Sequence, residues 1–375
     1  MSPSAAPGTT VSAFDLAVVG GGLLGMAVAY GLVRAGRRVV VLDGDDLAFR
    51  ASRGNAGLVW VQGKGSKCPP YALWSLQSAD RWPWFARQLQ DETGLDLEYR
   101  RPGGFQTFTD PGEWEAEEGR LAGLQAVHPA LHYEVVDRAG LVQRVPGVAT
   151  DLAGGLFSRN DGHCNPLALL RALQSAFQGR GGTYHPRREV RAIQAGTGRF
   201  RLDTGAGPVE AGQVVLCAGL GNAALAPMVG LRAPVQPRRG QVLVTERLAP
   251  FLDFPVDGLR QTGCGSMLLG ASSESVGFDD GVTPDILASI AQYAIARFPR
   301  LARVQVVRVW GSLRVMTPDG MPVYEASAEA PGAFLVNSHS GVTLAAVHAE
   351  VLAPWILGGP PPAILESCRA QRFPV

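Results

Sequence analysis

The segment FDLAVVGGGLLGMAVAYGLVRAGRRVVVLD, residues 14–43, decides the fold of this 375-residue chain. Its first six residues form a short, mostly apolar run rich in β-branched side chains. From Leu23 the apolar residues recur at helical spacing until Gly36 ends the helix. The run VVVLD that follows is typical of a fully buried strand in a parallel sheet. The segment therefore predicts strand, glycine turn, helix and strand in that order.

Gly20, Gly22 and Gly25 form the pattern G-x-G-x-x-G where this strand meets the helix. Gly20 permits a tight turn, and Gly22 lets a pyrophosphate approach the amides at the helix N-terminus. Gly25 allows the helix to pack closely on the strand. Asp43, at the end of the second strand, should accept hydrogen bonds from a ribose hydroxyl. The pattern predicts a dinucleotide site, which includes Leu23 and Leu24, and by itself leaves FAD and NAD open.

The composition restricts the class of protein. Apolar residues make up 46% and charged residues 18%, so the chain can bury a large core, and its length indicates two domains. With 34 basic and 33 acidic side chains, no strong field favours nucleic acid or an anionic membrane. The uncharged stretch after Asp15 is interrupted by three glycines, which argues against a transmembrane helix.

The five cysteines are odd in number and contain no C-x-x-C pair, which favours a reduced chain and no metal site. The N-terminus MSPSAAPGTTVSAF has no basic stretch before an apolar core, unlike a secretory signal. We therefore expect a cytoplasmic protein.

Helical patterns occur at about residues 71–92, 166–178 and 284–298, with Asn165 and Thr283 as expected N-caps before a proline. Strand-type segments at 97–109, 235–245 and 303–314 predict a second, mostly antiparallel sheet. The strands at 213–218 and 333–337 should complete the first sheet. We therefore expect one discontinuous nucleotide-binding domain, formed by 12–95, 150–225 and 325–370, and one substrate-binding domain, formed by 96–149 and 226–324.

Three further segments resemble the D-amino acid oxidase family of flavoproteins, which includes glycine and sarcosine oxidases. They are SRGNAG from Ser52, REVRAIQ with the later VVLCAGLG, and NSHSGVT from Asn337. Their order and spacing extend across almost the whole chain. The resemblance implies FAD as the cofactor and an α/β fold, in which a Rossmann-like FAD-binding domain is interleaved with a domain built on a mostly antiparallel sheet.

The resemblance also implies which residues contact FAD. The amides of Gly341 to Thr343 should lie at a helix N-terminus near the pyrimidine end of the flavin, where negative charge develops on reduction. Beyond the dinucleotide motif, the expected cofactor-binding residues are Ser52, Arg53, Asn55, Ala56, Gly57, Leu58, Val190, Ala218, Gly219, Gly311, Gly341, Val342 and Thr343.

A narrower resemblance concerns SRGNAGLVWVQGKG, RPGGFQ from Arg101 and RRGQVLVTE from Arg238. These stretches are similar to a group that contains the D-hydroxyproline dehydrogenase beta subunit, the B subunits of opine oxidases and the flavoprotein subunit of hydrogen cyanide synthase. The group implies partner subunits with an iron-sulfur centre or a second flavin, and an FMN at a subunit interface is a further option. Electron transfer would then allow a peripheral location at the inner membrane as an alternative to the free cytoplasm.

The stretch VWGSLRVMTPDGMPVYE resembles the glycine oxidase pattern of an arginine before a Pro-Asp-Gly-x-Pro turn. Arg314 matches the arginine that holds the substrate carboxylate, for which a planar guanidinium is suited. Val315 stands where many relatives have proline, and a surface arginine is the alternative interpretation. His339 is a candidate catalytic or pocket residue, with a structural role as the alternative.

Weaker pocket candidates are Trp60, Gln62, Tyr71 and Cys264, and we assign Cys264 no redox role. The expected activity is FAD-dependent oxidation of the Cα–N bond of a small amino acid or secondary amine to an imine, with hydride transfer to flavin N5. D-proline or D-hydroxyproline, an opine, sarcosine and glycine all remain candidate substrates. Electrons would pass to a partner subunit or to a quinone or cytochrome chain. The alternatives are an oxidase that reduces oxygen to hydrogen peroxide, and an electron-transfer or assembly subunit with no substrate site of its own.

Overall fold

The computed structural model describes residues 14–44, 51–65, 68–270 and 272–374. The N-terminal segment used to exclude a secretory signal lies outside these ranges, as does the expected domain start at residue 12. None of the helices within them combines the length and the apolar character needed to cross a membrane.

The strands run in chain order as follows: β1 (Phe14–Val19), β2 (Val39–Leu42), β3 (Leu58–Val59), β4 (Gly104–Phe108), β5 (Glu134–Asp137), β6 (Gly154–Ser158), β7 (Gly162–His163), β8 (Thr183–His185), β9 (Val190–Gly196), β10 (Arg199–Thr204), β11 (Val209–Leu216), β12 (Gln236–Arg247), β13 (Leu259–Gln261), β14 (Ser266–Gly270), β15 (Val306–Met316), β16 (Val323–Ala326) and β17 (Ala333–Asn337).

The α-helices are α1 (Leu23–Arg34), α2 (Pro69–Thr93), α3 (Pro111–Val127), α4 (Arg138–Arg144), α5 (Pro166–Gly179), α6 (Asn222–Leu225), α7 (Pro284–Arg297), α8 (Ala345–Val347), α9 (Ala353–Ile356) and α10 (Ile364–Ser367). Short 3₁₀ turns occupy Gly219–Gly221, Ala226–Val229, Pro299–Arg303 and Ala370–Arg372, and a π-helical turn spans His348–Leu352.

The central sheet has the strand order β16-β17-β11-β1-β2-β8. Its strands from β17 to β8 pair in parallel, and β16 closes one edge in the antiparallel direction. The hairpin of β9 and β10 joins the sheet through β11. Strand β1 is buried from Leu16 onward because α1 covers one face and the β9–β10 side covers the other. This layering explains why both of its faces are apolar.

A second β layer consists of antiparallel strands in the order β13-β14-β12-β15, beside a smaller group in the order β4-β6-β5. Isolated bridges at Val256 connect the two groups, to Phe105 on one side and Leu259 on the other. Helix α7 and the turn Pro299–Arg303 pack on this layer. Strand β15 lies at its edge and pairs with β12 over almost its full length.

The expected α/β fold, a parallel sheet combined with a mostly antiparallel one, is therefore confirmed. The three predicted helices form α2, α5 and α7 with ends shifted by at most about two residues, as is usual for helix ends. The segment 97–109 contributes only β4, and the residues before it form an irregular connection that includes a single bridge from Arg100 to His163. The division into the five segments of two domains stays a prediction.

The two expected N-caps differ. The Asn165 side chain accepts hydrogen bonds from the amides of Leu167 and Ala168, as a capping residue does. Thr283 holds the N-cap position of α7, but its side chain forms no capping bond. Its hydroxyl instead accepts a hydrogen bond from the Gln241 side chain, which fixes the start of α7 to β12.

Candidate functional site

The turn between β1 and α1 has glycines where side chains would not fit. Gly20 has a φ of +109°, which other residues rarely adopt. A Cβ on Gly25 would lie 1.9 Å from the Gly20 carbonyl oxygen, and a Cβ on Gly22 would lie 2.7 Å from Ser52 Oγ. The three glycines therefore allow the close approach of strand, helix and the following loop that the sequence predicts.

The N-terminus of α1 presents backbone donors. Gly22 is its N-cap residue and has no side chain with which to cap the helix. The amide of Leu23 donates to Ser52 Oγ at 2.9 Å. Within the described residues, the amides of Gly22 and Leu24 donate to no protein acceptor. Such a helix end binds anions well, because its free N–H groups and the helix dipole act together.

Asp43 follows β2 and is largely buried. Its backbone pairs with β8 through His185, and the Tyr184 hydroxyl donates to its carboxylate at 3.3 Å. The same carboxylate lies close to Gly21, where a Cβ would meet it at 2.9 Å. Asp43 is thus held at the edge of the glycine turn, where a ribose hydroxyl would be expected.

The loop of residues 51–57 connects this turn to the second β layer. Asn55 shapes the loop, since its side chain donates to the Ser52 carbonyl and accepts from the Gly57 amide. The Gly54 carbonyl accepts hydrogen bonds from Trp310 Nε1 at 3.1 Å and Ser312 Oγ at 3.4 Å, both on β15. Arg53 and Ala56, also expected to contact the cofactor, lie in the same loop.

A turn at residues 338–343 follows β17 and leads into α8. The Leu344 amide donates to the Ser340 carbonyl, so the helical bonding pattern begins before α8 itself. In the described part of the chain, the amides of Gly341, Val342 and Thr343 donate to no protein group. This turn is therefore a second helix N-terminus with open donors, and its contact with the flavin stays a prediction.

Thr343 ties that turn to the segment after β3. Its hydroxyl accepts from the Trp60 amide at 3.1 Å and donates to the Leu58 carbonyl at 3.3 Å. The Trp82 indole donates to the Thr343 carbonyl from α2. Two segments far apart in the sequence, 58–60 and 341–343, consequently form one wall.

Arg314 lies on β15 with its guanidinium against β12. Its Nη1 donates to the Ser272 carbonyl at 2.7 Å and to the Arg239 carbonyl at 3.4 Å. Gly240 makes this position possible, because a Cβ there would lie 2.3 Å from Arg314 Nη1. Burial lowers the pKa of Arg314, and the charge of Glu274 partly opposes that shift. The group still carries its charge near neutral pH.

No carboxylate of the described residues forms an ion pair with Arg314. The nearby Glu274 is engaged by Arg239 at 2.7 Å and by the Gln241 side chain at 2.9 Å. A half-buried guanidinium that bonds only to carbonyl oxygens keeps unused N–H donors, which is the state expected of an anion-binding arginine.

His339 occupies the turn at 338–343 and is exposed. The protein atoms packed around its ring lower its pKa below the ordinary value, and the charges of Lys64 and Arg314 lower it further. The ring is thus neutral near pH 7, and both cations lie close enough to influence it. A catalytic role for His339 stays a prediction.

The structure places the remaining predicted residues as follows. Val190 begins β9, Ala218 and Gly219 follow β11, and Val315 of β15 lies near Gly219, where a Cβ would be 3.2 Å from its side chain. Gly311 faces the carbonyls of Asp280 and Gly281, so its lack of a side chain lets that loop approach β15.

Of the weaker pocket candidates, Trp60, Gln62 and Tyr71 lie near the turn at 338–343 or on the segment that contacts it. Cys264 instead lies exposed in the turn between β13 and β14, with the Thr262 hydroxyl 3.2 Å from its sulfur. These pocket roles also stay predictions.

Sequence reasoning missed two charged residues at this wall, Lys64 and Asp161. Lys64 Nζ donates to Ser340 Oγ at 2.7 Å, and the Tyr71 hydroxyl lies 2.9 Å from the same oxygen. Asp161 is fully buried beneath the segment and bonds to the amides of Val61 and Gln62. No signal in the sequence indicates its burial, because Asp161 lies in the polar stretch SRNDGH between β6 and β7.

The described residues can be compared with what FAD needs for binding. The glycine turn leaves room for a pyrophosphate, and Asp43 lies beside it. Two helix N-termini, at residues 22–24 and 341–343, have amides without protein acceptors in the described ranges. The residues present therefore fit the predicted cofactor. No group of three or more potential metal ligands occurs among the residues that the structure describes.

Comparison with known proteins agrees with this geometry. The model of the DAO family, described as an FAD dependent oxidoreductase, matches residues 15–355. The B subunit of opine oxidase from Agrobacterium tumefaciens is 42% identical over 361 residues, which cover 96% of this chain and 97% of that protein. The corresponding B subunit from Rhizobium meliloti gives the same identity and coverage.

A solved structure supports the fold independently of the sequence. The crystal structure of glycine oxidase from Geobacillus kaustophilus is similar with a TM-score of 0.90 at 24% identity, covering 96% of this chain and 99% of the other. At this identity the likeness concerns the arrangement of the backbone.

Proposed function

Because this chain belongs to the DAO family of FAD-dependent oxidoreductases, which act on the C–N bonds of amino acids or amines, we propose that it oxidises the Cα–N bond of a small substrate carrying a carboxylate. The candidates are an opine, D-proline or D-hydroxyproline, sarcosine and glycine. The observation that carries this proposal is the half-buried Arg314, whose donors have no carboxylate partner in the described chain.

One set of residues would bind the cofactor, and Arg314 would bind the substrate. Gly20, Gly22 and Asp43 would hold the nucleotide part of FAD, and the amides of Gly341 to Thr343 would face its pyrimidine end. When bound, FAD supplies the acceptor for the hydride, at N5 of its flavin. Arg314 would hold the substrate carboxylate and so orient the Cα–H bond, because orientation contributes strongly to such reactions.

We propose further that the electrons leave through a partner subunit, which would make the chain a dehydrogenase. Support comes from the two relatives at 42% identity, whose names describe them as B subunits of opine oxidases. An oxidase that reduces oxygen is the competing form. Hydrogen peroxide formation at the rate of substrate oxidation by the isolated chain would favour the oxidase.

The first experiment is anaerobic reduction of the purified flavoprotein, followed by absorbance. The panel comprises octopine, nopaline, D-proline, cis-4-hydroxy-D-proline, sarcosine and glycine. Bleaching by at least one of these compounds supports the proposal. A flavin that none of them reduces argues against the substrate class.

Arg314→Met tests the role of the arginine. It should keep its flavin and raise KM by about 100-fold or more, since a charge-assisted contact of ~3 kcal/mol is lost. Arg238→Met is the matched control, because Arg238 is the cross-strand neighbour of Arg314 and bonds to the side chains of Ser273 and Ser275. Unchanged kinetics in Arg314→Met would contradict the assignment.

A further inference from the structure

An apolar surface lies at the open edge of the antiparallel layer. Six of the thirteen exposed large apolar side chains in the described chain come from two segments, the first half of β15 and the loop before α7. Val307 is 62% exposed and Phe278 74%. Single exposed apolar residues are ordinary, but a cluster of them marks an interaction site. The six side chains, named the β15 surface, are Val276, Phe278, Val282, Val306, Val307 and Val309.

The loop before α7 lies directly against β15. A Cβ on Gly311 would lie 2.4 Å from the carbonyl oxygens of both Asp280 and Gly281. Val282 is the next residue in the loop. Val309 is two residues from Gly311 and therefore points to the same side of the sheet. The apolar side chains of the loop and of the strand thus belong to one surface.

The edge of β15 is open but is not suited to a further strand. β15 is the last strand of its sheet. Val306 pairs with Thr245 and Arg308 with Val244, so Val307 between them is an extra residue. Such a bulge twists an edge strand and interrupts its row of backbone groups. A partner would therefore contact the side chains of the β15 surface rather than extend the sheet.

Opposite charges lie at the two ends of this surface. Arg303 precedes β15 and Arg308 lies in its first half, and both are exposed. At the other end, Asp280 lies beside Gly311 and Asp285 in the first turn of α7, and both are also exposed. Within the described residues, Arg303, Asp280 and Asp285 form no ion pair. The start of β15 and Gly311 are about 17 Å apart along the strand.

Two nearby charges of the other sign are already engaged. Glu246, at the basic end, accepts a hydrogen bond from the Gln305 amide. Arg238, beyond the acidic end, donates to the side chains of Ser273 and Ser275. The surface therefore has a basic end, an apolar centre and an acidic end.

A surface with this order of charges is complementary to itself after rotation by 180°. Two apolar centres would then meet, and the arginines of one copy would lie opposite the aspartates of the other. Another protein would need a matching pattern, which a second copy always has. We propose that the β15 surface is the interface of a two-fold symmetric homodimer of this chain. None of its six residues belongs to the predicted FAD or substrate site.

Sedimentation velocity on the FAD-loaded full-length protein tests the interface. We expect a dimer with a dissociation constant on the order of 1 μM or lower. Val307→Lys should raise this constant at least about tenfold, because two charges would be buried in the apolar centre. Val142→Lys is the matched control, since Val142 is a 43% exposed valine on α4, and it should leave association unchanged. The flavin content of both variants should equal that of the wild type.

Charge reversal tests the two-fold arrangement. Arg303→Glu and Asp280→Lys should each weaken the dimer at least about fivefold at low salt, because like charges then face each other across the interface. An equimolar mixture of the two variants should dimerise like the wild type. In the mixed dimer, each substituted residue lies opposite the other substituted residue, and the two native residues also lie opposite each other, so both pairs carry opposite charges.

A wild type that stays monomeric at about 100 μM overturns the inference and leaves the β15 surface to a different polypeptide. A dimer that Val307→Lys leaves intact also overturns it, because the copies would then meet elsewhere. Where Val307→Lys does not fold, Phe278→Lys in the loop takes its place with the same expected result. Weakened charge variants whose mixture does not recover contradict the two-fold arrangement.

Discussion

The hydroxyl oxygen of Ser52 accepts a hydrogen bond from the amide of Leu23 at 2.9 Å. A residue from the loop after β2 thereby satisfies a donor in the first turn of α1, where Gly22 offers no side chain. The loop and the glycine turn are thus one unit. Removing this contact should affect the cofactor site before it affects the rest of the fold.

Ser52→Ala is expected to weaken FAD binding by about fivefold, because a hydrogen bond to a helix terminus contributes ~1 kcal/mol. Fluorescence titration of the apoprotein with FAD measures the affinity. Ser289→Ala, which removes a hydroxyl bonded to the Asp285 carbonyl on the exposed side of α7, is the control and should leave FAD affinity unchanged. Equal affinities in wild type and Ser52→Ala would contradict the linkage.

Gly25→Ala should abolish stable FAD binding, because the new methyl group would lie 1.9 Å from the Gly20 carbonyl oxygen and push α1 away from β1. The flavin-to-protein ratio after purification measures this loss. Gly119→Ala is the matched helical control: Gly119 lies in α3 and a Cβ there meets nothing within 4 Å. It should retain FAD and gain up to about 1 kcal/mol in the free energy of unfolding. Full flavin content in Gly25→Ala would show that the packing can relax.

The sequence predicts this part of the site well because its constraints are local. The positions of Gly20 and Gly25 follow from a strand and a helix that are adjacent in the chain. The contact of Gly54 with Trp310 joins residues 256 apart, and no local pattern encodes it. Sequence reasoning therefore predicted the glycine turn between β1 and α1 directly, and singled out loop 51–57 only through resemblance.

Gly240→Ala should raise KM for carboxylate substrates by about tenfold or more, since its Cβ would displace the Arg314 guanidinium, a contact worth ~1.5–3 kcal/mol. Flavin content should stay at the wild-type level. Steady-state kinetics and binding of (methylthio)acetate give the measurement. Gly196→Ala is the control in a strand, because its Cβ meets only ordinary contacts from 3.6 Å outward. An unaltered KM in Gly240→Ala would mean that Arg314 can bind the substrate carboxylate from another position.

Asp161 should make stability depend on pH. Its burial raises the pKa of the carboxyl to about 7, above the ordinary value of 3.8. The folded state then binds more protons than the unfolded state between these values, so the contribution of Asp161 to stability falls as pH rises through this window. Buried His163 and His348 have lowered pKa values, so their contributions to stability rise with pH. The effect of Asp161 is therefore measured as the difference between the wild type and a variant at this position.

Asp161→Asn removes the ionisation and keeps an acceptor for the Val61 amide. Relative to wild type, its free energy of unfolding should rise by ~2 kcal/mol between pH 5 and pH 7.5. Urea unfolding at the two pH values measures the change. Asp151→Asn, at an exposed turn, should have the same free energy of unfolding as the wild type at both pH values. A constant difference between Asp161→Asn and wild type would show that the carboxyl does not titrate in this range.

The contact between Lys64 and Ser340 could not be predicted from the sequence. Lys64 and Ser340 are 276 residues apart, and each is ordinary in its own segment. Their contact arises because β3 and β17 end near the same turn. Burial of Asp161 is similarly a property of the packed layers, so neither its raised pKa nor its bonds to Val61 and Gln62 could be read from the chain.

Strand β17, which pairs with β11 in the parallel sheet, comes from residues 333–337. During synthesis this strand can take its place only after all the strands that it joins have been made. The second set of open amides, at 341–343, becomes available later still. If these amides hold the flavin as predicted, stable FAD binding requires residues 333–343 to be in place, and a chain truncated before them should bind FAD poorly and be open to proteolysis. Cellular flavin supply would then govern how much of the newly made protein survives, because ligand binding stabilises the native state by mass action.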